Sequence, residues 1–527
     1  MAWQSALRSK DLDDILAAAE TGGLQRHLSA FHVTLLGIGA IIGAGIFATI
    51  GTAAAGDAMR PGAGPSLMLS FVITAGVCGL TALCYAELAS MVPLSGSAYT
   101  YSYATLGELV AWIIGWDLII EYAVGNVAVA IGWAGYFKSF LDHIGVHWPF
   151  WLSIDYRSAA EQGLLHQAPH IFGIPIVFNL LAALIVFAIT WLLIRGIRES
   201  AWANAAMVII KVLVLILFIA VAVSYVSPSE MVDNWTPFQP NGWEGTLTAA
   251  AVVFFSYIGF DAVSTVAEET RNPGRDIPIG IIASLIICTL IYVVVSAVFT
   301  GILPFDILST KSSSDLAESL TMALEHVAPD ANVTLAILAF GAVVAHTAVL
   351  LVFQLGQPRI FFAMARDGLL PKTFAKVHPK HGTPHVTTIL TGVVVGLFAG
   401  VTNISEMVDL TSIGTLFAFV LVCIGVPILR ARHPHRPRAF KVPFGPYIVP
   451  VLGAASCVGL MYWLPGTAWW RFVGWLLLGL GIYCGFGFHR SVLGQKLGRR
   501  SVATPLARIL AVVFITSAVI LFVFPYV

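Results

Sequence analysis

Five ionisable side chains fall inside long apolar segments of this sequence, where charge is costly. Lys211 stands in AAMVIIKVLVLILF, Asp261 in FFSYIGFDA, Glu87 in CYAELASM, and Asp117 and Glu121 in GWDLIIEY. An ionisable group at the centre of a bilayer costs at least about 2.5 kcal/mol, so such residues are rare and tend to be functional. These positions are the first candidates for chemistry, and the chemistry open to them is proton transfer and ion pairing.

Lys211 is a candidate proton carrier. It lies nine residues into its apolar segment, too deep for easy escape of the ammonium to the membrane surface. A fixed charge without a partner would be unstable there, which favours a lysine that gains and loses its proton during a cycle. Glu121 and Asp261 are the alternative carriers. For Asp261, proton relay and the capping of backbone N–H groups are equally open interpretations.

The other titratable positions have two interpretations each. Asp117 and Glu121 are four residues apart and therefore share one helix face, where they either line a vestibule or hold a neighbouring helix. Glu87 is expected near the cytoplasmic end of its segment, bonded to backbone or to a loop. His346, in another apolar segment, either titrates or packs as a hydrogen-bonded ring.

The stretch GIGAIIGAGIF, residues 37–47, predicts a helix that is interrupted inside the membrane. Each of its glycines weakens a helix by roughly 1 kcal/mol relative to alanine. Unpaired backbone at that depth survives only where it lines a cavity, and there the N–H groups and the positive end of the next half-helix attract an anion such as a carboxylate. The alternative is that these glycines only allow close packing of helices.

A second interruption favours the binding interpretation. FFSYIGFDA, residues 254–262, places Ser256, Gly259 and Asp261 in the middle of another apolar run. Paired interruptions at corresponding positions of two repeats indicate a substrate site at the midplane of a secondary transporter.

The composition excludes a soluble globular protein. Of the 527 residues, 58% are hydrophobic and 11% charged, whereas soluble domains carry about 25% charged residues. The apolar segments contain no metal-ligand spacing and no nucleophile constellation, so we predict neither an enzyme nor a cofactor. The expected surrounding is a lipid bilayer, and no nucleic-acid partner is expected.

Apolar runs of about 18 residues or more predict thirteen membrane spans. They lie near 33–55, 67–91, 108–137, 172–194, 203–226, 246–266, 278–302, 332–363, 385–402, 406–429, 447–465, 470–488 and 505–525. With a cytoplasmic N-terminus, twenty-two of the 28 Lys and Arg residues fall on the inside and five on the outside, as the positive-inside rule requires. This orientation in a plasma (inner) membrane puts the C-terminal Val527 outside.

The two interrupted spans are the first and the sixth, which predicts two inverted halves of five spans each. The expected divisions are a cytoplasmic N-terminal segment 1–32, a first repeat 33–226, a second repeat 227–430 and C-terminal spans eleven to thirteen at 431–527. Between spans seven and eight, a helical pattern on the outside predicts a lid over the site.

Four stretches make the chain resemble bacterial amino acid permeases of the amino acid, polyamine and organocation superfamily, in the branch related to cationic amino acid transporters. They are LGIGAIIGAGIF (36–47), CYAELASMVPLSGSAYTYSYATLGELVAWIIGWDLIIEY (84–122), FFSYIGFDAVSTVAEETRNPGRDIPIGI (254–281) and GQPRIFFAMARDGLLP (356–371). The resemblance implies an all-α polytopic membrane protein with a leucine-transporter-like 5+5 inverted repeat and broken helices 1 and 6. About three additional C-terminal helices follow that repeat.

The resemblance also implies how the substrate is held. Backbone N–H groups around Gly43, Ala44 and Gly45 would bind its carboxylate, and Lys211 would occupy the place of a sodium ion. The substrate ammonium would meet four carbonyl groups, and two aromatic side chains would gate or shape the pocket. The carbonyls are those of Ile41, Phe255, Ser256 and Ile258, and the aromatic residues are Phe255 and Tyr257. Ala44 stands where relatives often have Ser or Thr, so one hydroxyl ligand is missing.

The sequence thus predicts a secondary active transporter that moves L-amino acids by alternating access, coupled to protons and independent of sodium. An amino acid exchanger and an amino acid sensor that uses the same pocket are the alternatives. Glu121 and Asp261 do not clearly require a cationic side chain, and small neutral amino acids fit a site made mostly of Gly, Ala, Ile and Phe. The choice between neutral and cationic substrates stays open.

Overall fold

A computed structural model describes residues 8–10, 28–57, 60–92, 97–196, 201–311, 316–496, 498 and 505–523. Most of the predicted segment 1–32, and Val527, lie outside these residues. The described chain is mainly α-helical, because backbone N–H and C=O groups in a bilayer must pair within their own segment. The prediction of an all-α polytopic membrane protein agrees with this architecture.

The first half of the chain alternates long apolar helices with short connections. Its α-helices are α1 (Ala30–Ile41), α2 (Ile50–Ala55), α3 (Leu67–Met91), α4 (Ser97–Thr105), α5 (Glu108–Ile119), α6 (Gly125–His143), α7 (Tyr156–Glu161), α8 (Leu180–Ile194), α9 (Ala201–Tyr225) and α10 (Pro228–Asn234). Its π-helical and 3₁₀ turns are Gly45–Thr49, Gly64–Ser66, Ile120–Val124, Phe150–Leu152 and Leu165–Gln167. Two-residue antiparallel pairs join β1 (Gly56–Asp57) to β2 (Arg60–Pro61) and β3 (His170–Ile171) to β4 (Ile174–Pro175).

The second half follows the same pattern. Its α-helices are α11 (Gly242–Val253), α12 (Pro273–Ile302), α13 (Phe305–Leu308), α14 (Ser319–Val327), α15 (Asn332–Arg366), α16 (His385–Val401), α17 (Ile404–Arg432), α18 (Ile448–Tyr462), α19 (Gly466–Ile482), α20 (Phe488–Arg490), α21 (Val492–Lys496) and α22 (Pro505–Val523). Its 3₁₀ and π-helical turns are Phe254–Tyr257, Asp261–Glu269, Lys372–Ala375 and Tyr483–Gly487.

Each predicted span contains helix. Among the described residues, nine helical segments are long and apolar enough to cross a membrane: Ala30–Ala55, Gly64–Met91, Glu108–His143, Ala203–Tyr225, Gly242–Ser264, Pro273–Ile302, Asn332–Arg366, Ile404–Arg432 and Gly466–Arg490. The apolar helices at the other four predicted positions are shorter: Leu180–Ile194, His385–Val401, Ile448–Tyr462 and Pro505–Leu521.

The helices pack in two groups. In the first group, α12 packs on α1 and α3, and α11 also packs on α3. In the second group, α15 packs on α6 and α16 packs on α8, with further contacts between these two pairs. The first group therefore contains spans one, two, six and seven, and the second contains spans three, four, eight and nine. Each group thus combines spans that are five apart in the sequence.

Glu87, at the end of the second span, bonds to the end of the tenth span and to the loop that follows it. Its carboxylate accepts hydrogen bonds from Arg430 Nε (2.7 Å) and Arg430 Nη2 (2.5 Å), and from the backbone N–H of Val442 (2.7 Å). Arg438 Nε lies 3.4 Å from the same carboxylate. The prediction that Glu87 bonds to a loop is confirmed, and Arg430 adds a link from the second span to the tenth.

Helix α14 lies in the segment between spans seven and eight that was predicted to form a lid. Ser319 Oγ accepts a hydrogen bond from the N–H of Gly51 (3.0 Å), which lies in α2. The Tyr136 hydroxyl accepts one from the N–H of Leu320 (3.2 Å) and donates one to the carbonyl oxygen of Phe47 (2.6 Å). Helix α14 is therefore bonded to both the first and the third span.

Candidate functional site

The first span is interrupted where the glycine pattern predicts. Helix α1 ends at Ile41, the backbone of Ile42 is extended (ψ 105°), and helical structure resumes in the π-helical turn Gly45–Thr49. The first N–H groups of a helical segment have no partner within that segment. The amides of residues 43–45 therefore lie at the positive end of the outer half-helix, as anion binding requires.

The sixth span is interrupted after the turn Phe254–Tyr257. Ile258 has an extended backbone (ψ 137°), and Gly259 follows with φ +115°. An L side chain rarely adopts that φ, and a Cβ on Gly259 would also lie 2.8 Å from the carbonyl oxygen of Ala40. Glycine is therefore required here both for the turn and for the close approach of the first span.

The two interruptions touch each other. A Cβ built on Gly45 would lie only 2.2 Å from the Cα of Ser256, so the two backbones are in direct contact. On the opposite side, a Cβ on Gly43 would lie 2.5 Å from Val349 Cγ2 in α15. The predicted carboxylate-binding amides therefore lie between the sixth and the eighth spans.

Tyr292, in α12, joins the two interruptions. Its hydroxyl lies 2.9 Å from the carbonyl oxygen of Ile41 and 3.0 Å from that of Ser256, and it donates toward both. These are two of the four carbonyl groups predicted to bind the substrate ammonium. In this structure a neutral hydroxyl occupies the position predicted for that ammonium.

The remaining predicted pocket residues are buried between the spans. Phe255 is buried, and its carbonyl accepts a 3.3 Å hydrogen bond from the N–H of Ile258. Tyr257 donates its hydroxyl to the carbonyl oxygen of Phe71 (3.0 Å), and its ring packs against Tyr292 with centroids 5.5 Å apart. Tyr257 therefore shapes the wall formed with the second span.

Lys211 lies beside the first interruption. Its side chain is fully buried, and Nζ donates to the carbonyl oxygen of Gly39 at 2.6 Å. Gly39 is in the last turn of α1, two residues before Ile41. Lys211 therefore bonds to the same half-helix whose end contributes to the predicted ammonium site.

The predicted acidic positions form a separate cluster. Glu121 of the third span and Asp261 of the sixth span are buried, and they lie near enough to each other for their charges to interact. Asp117 is also near Glu121, and both of its oxygens are buried without a hydrogen-bond partner in the described part of the chain. Asp117, Glu121 and Asp261 therefore form a group of three buried acidic side chains on the third and sixth spans.

An ion-pair cluster surrounds Arg60, in β2, between the first and second spans. Arg60 Nη1 donates to Asp409 Oδ1 in α17 (2.6 Å), and Arg60 Nε donates to Asp57 Oδ2 (2.8 Å). Burial alone would lower the pKa of Arg60, but Asp409 and Asp57 raise it above its ordinary value. The loop after the first span is thereby fastened to the tenth span.

Sequence reasoning missed Tyr292 and the Arg60–Asp409 pair. Tyr292 is the one tyrosine in α12, and a polar hydroxyl within SLIICTLIYVVVSAVF is a signal that could have been noticed. Arg60 and Asp409 are 349 positions apart, and neither spacing nor composition relates them.

Comparison with known proteins agrees with this architecture. The family model described as amino acid permease matches residues 28–486. The chain is 47% identical to the branched-chain amino acid permease BcaP of Bacillus subtilis (strain 168) over 492 residues, which is 93% of this chain and 99% of that protein. It is 43% identical to the methylthioribose transporter of the same organism, over 93% of this chain and 100% of that protein.

A plant protein is also similar. The chain is 39% identical to the vacuolar cationic amino acid transporter 2 of Arabidopsis thaliana over 440 residues, which is 81% of this chain and 63% of that protein. The family match covers the helices from α1 to α19, including both interrupted spans. The chain belongs to the amino acid permease family.

Proposed function

We propose that this chain is a secondary active transporter that moves L-amino acids across the plasma membrane, coupled to protons and independent of sodium. The observation that carries the proposal is the contact between two interrupted helices beside the buried Lys211. An amino acid offers an anion and a cation a few ångströms apart. The site matches that charge pattern. The positive end of one half-helix attracts the anion, and carbonyl groups at the ends of two other half-helices attract the cation.

The proposed binding step begins with the substrate carboxylate at the N–H groups of Gly43, Ala44 and Gly45. The substrate ammonium then displaces the Tyr292 hydroxyl and bonds to carbonyl groups of the two interruptions. An ammonium has three charged donors, whereas a tyrosine has one neutral donor, so the exchange is favourable once the substrate is in place. The carbonyls in this role are those of Ile41, Phe255, Ser256 and Ile258.

The position of Lys211 supports the proposed proton coupling. When Lys211 is protonated, it holds the carbonyl of Gly39; when it is neutral, that charge-assisted bond is weakened. The inner half of the first span is then freer to move, which links protonation to the direction the site faces. The Glu121–Asp261 pair is the alternative proton-holding site.

The packing supports alternating access by two five-span repeats, with domain divisions at 33–226 and 227–430. Spans one, two, six and seven form one group, and spans three, four, eight and nine form the other. In this proposal the first group rocks against the second. Segment 1–32 is cytoplasmic in this proposal. Spans eleven to thirteen, in residues 431–527, lie outside the two repeats.

The test of function is uptake of a radiolabelled amino acid into proteoliposomes, with competition by all twenty amino acids. Gradient-driven accumulation supports symport, and uptake that requires a preloaded amino acid indicates an exchanger instead. Binding without any flux would identify a sensor and contradict the transport proposal.

The Glu121–Asp261 pair and the similarity to cationic amino acid transporters support a second substrate class, cationic amino acids. Arginine and lysine test this class in the same competition assay.

Tyr292→Phe is expected to tighten binding of the transported amino acid by about fivefold, because the loss of one competing hydrogen bond changes free energy by about 1 kcal/mol. The two carbonyls then remain unpaired in the empty site and are satisfied only by the substrate. Tyr257→Phe is the matched control, since its hydroxyl bonds to Phe71 instead. Thermal stabilisation or calorimetry measures the substrate affinity of both variants and of the wild type. Weaker binding in Tyr292→Phe would contradict the displacement step.

The proposed orientation predicts that Val527 lies outside. A C-terminal alkaline phosphatase fusion is expected to be active and a C-terminal fluorescent-protein fusion dark. The opposite pair of results would show that the chain crosses the membrane an even number of times after a cytoplasmic N-terminus. An N-terminal fluorescent-protein fusion, expected to be bright, is the control.

A further inference from the structure

The β3–β4 hairpin, between spans three and four, has an apolar tip that the described residues leave uncovered. Ile171 pairs with Ile174, so Phe172 and Gly173 form a two-residue turn between them. The side chains of Ile171, Phe172 and Ile174 are 55%, 100% and 66% exposed. Large apolar side chains grouped in this way mark a surface that contacts something outside the folded chain. We refer to residues 171–174 as the hairpin tip.

The turn itself contains an unfavourable residue. Phe172 has φ +51° and Gly173 has φ +79°, the two positive values of a type I′ turn. Glycine and asparagine adopt such values readily, whereas a bulky L side chain is disfavoured there. Backbone strain of this kind concentrates at functional positions. A strained phenylalanine whose ring is fully exposed therefore indicates a role in binding.

Spans four and nine, which pack on each other, are shorter than the core of a bilayer. Helix α8 has 15 residues and α16 has 17, which correspond to about 23 and about 26 Å at 1.5 Å per residue. The hydrocarbon core of a bilayer is about 30 Å thick. The sequence predicts the fourth span from about residue 172, but α8 begins at Leu180. The hairpin tip thus belongs to the part of that apolar run that is not helical.

The hairpin is fixed at the point where these two short helices end. The N–H of Asn179 donates to the carbonyl oxygen of Gly400 in the last turn of α16 (2.8 Å), and the ring of Phe178 also packs on Gly400. No Asp, Glu, Lys or Arg occurs from residue 162 to residue 194. The hairpin and α8 therefore form one continuous segment without fixed charge.

We propose that the hairpin tip is an interfacial anchor, which inserts into the boundary between lipid headgroups and acyl chains beside spans four and nine. Apolar and aromatic side chains are stable at this boundary, at a depth of about 5–10 Å. The two strands of the hairpin pair with each other, so little of its backbone is left without a partner, as a position next to the hydrocarbon core requires. The anchor covers the apolar thickness that the two helices do not reach. In the proposed orientation it lies in the outer leaflet.

The test places an environment-sensitive fluorophore on Phe172→Cys in nanodiscs. All six natural cysteines are buried, so the new thiol is the accessible one for labelling. The fluorophore is expected to show blue-shifted emission, quenching by a phospholipid with a nitroxide near the top of its acyl chain, and protection from aqueous iodide. His147→Cys is the matched control, because its side chain is 83% exposed in the same connection between α6 and α8. It is expected to show the opposite pattern.

Phe172→Asn tests the same surface without weakening the turn, since asparagine followed by glycine is the preferred type I′ pair. A fluorophore on Ile174→Cys is expected to be quenched by the lipid nitroxide, and to lose most of this quenching when Phe172→Asn is added. Iodide quenching of the Phe172→Cys label as strong as at His147→Cys would overturn the inference, because the tip would then lie in water. Protection from both quenchers would also overturn it, because another protein chain would then cover the tip.

Discussion

Gly45→Ala is expected to abolish amino acid uptake, with a loss of at least about a hundredfold. A Cβ at this position would lie 2.2 Å from the Cα of Ser256, which is backbone and cannot rotate away. The two interrupted spans would have to separate, and overpacking of this kind costs about 1–3 kcal/mol or more. The predicted carboxylate and ammonium sites would then be displaced relative to each other and could not bind one substrate together. Uptake and binding of a radiolabelled amino acid are the measurements, with monodispersity in size-exclusion chromatography as the test of folding.

Gly43→Ala provides a matched control for this prediction. Its added Cβ would meet side-chain atoms of Val349, the nearest being Cγ2 at 2.5 Å, whereas the nearest atom at Gly45 is backbone. We expect Gly43→Ala to weaken binding but to retain measurable uptake. If Gly45→Ala transports as well as Gly43→Ala, the close contact of the two interruptions is not required for binding.

Lys211→Ala is expected to lose accumulation driven by a pH gradient while substrate binding or exchange is retained. The predicted carboxylate and ammonium contacts lie on other residues, whereas the bond from Nζ to Gly39 is lost. With a gradient of about two pH units, coupling to one proton provides about 2.7 kcal/mol, or about a hundredfold accumulation. The variant is expected to equilibrate its substrate without accumulating it. Uptake into proteoliposomes from pH 5 to 8, with and without the gradient, measures this difference.

Lys211→Arg keeps the positive charge of the side chain but removes its ability to release a proton. A guanidinium does not release its proton in this range, so the pH response is expected to flatten and not to shift. Accumulation and a pH profile like those of wild type in Lys211→Ala would reject Lys211 as the proton carrier. Glu121→Gln and Asp261→Asn, tested in the same assay, would then examine the alternative carriers.

The sequence was informative wherever one residue type conflicted with its surroundings. A glycine-rich stretch in an apolar run and a lone lysine among aliphatic residues both lower the stability of a membrane helix, so the first interruption and Lys211 could be predicted from single positions. The structure adds that these two features meet, with Nζ 2.6 Å from the carbonyl of Gly39. Their distance could not be derived from spacing, because it depends on how the fifth span packs on the first.

Contacts between distant residues were not predictable in this way. The hydroxyl of Tyr292 reaches two carbonyls that belong to different spans, and Arg60 pairs with Asp409 across most of the chain. The contact of Gly45 with Ser256, where a Cβ on Gly45 would lie 2.2 Å from the Cα of Ser256, was likewise not predictable.

The most direct test of the account concerns the two charged ends of the substrate. The best of the twenty amino acids is compared with its amide, which lacks the carboxylate, and with the matching carboxylic acid that lacks the amine, as competitors of uptake in proteoliposomes. If the interrupted helices bind one end each, both analogues are expected to compete about ten- to hundredfold more weakly, since each loses a charge-assisted contact of about 1.5–3 kcal/mol. Equal competition by the amide would contradict the carboxylate site at residues 43–45, and equal competition by the deaminated acid would contradict the ammonium site.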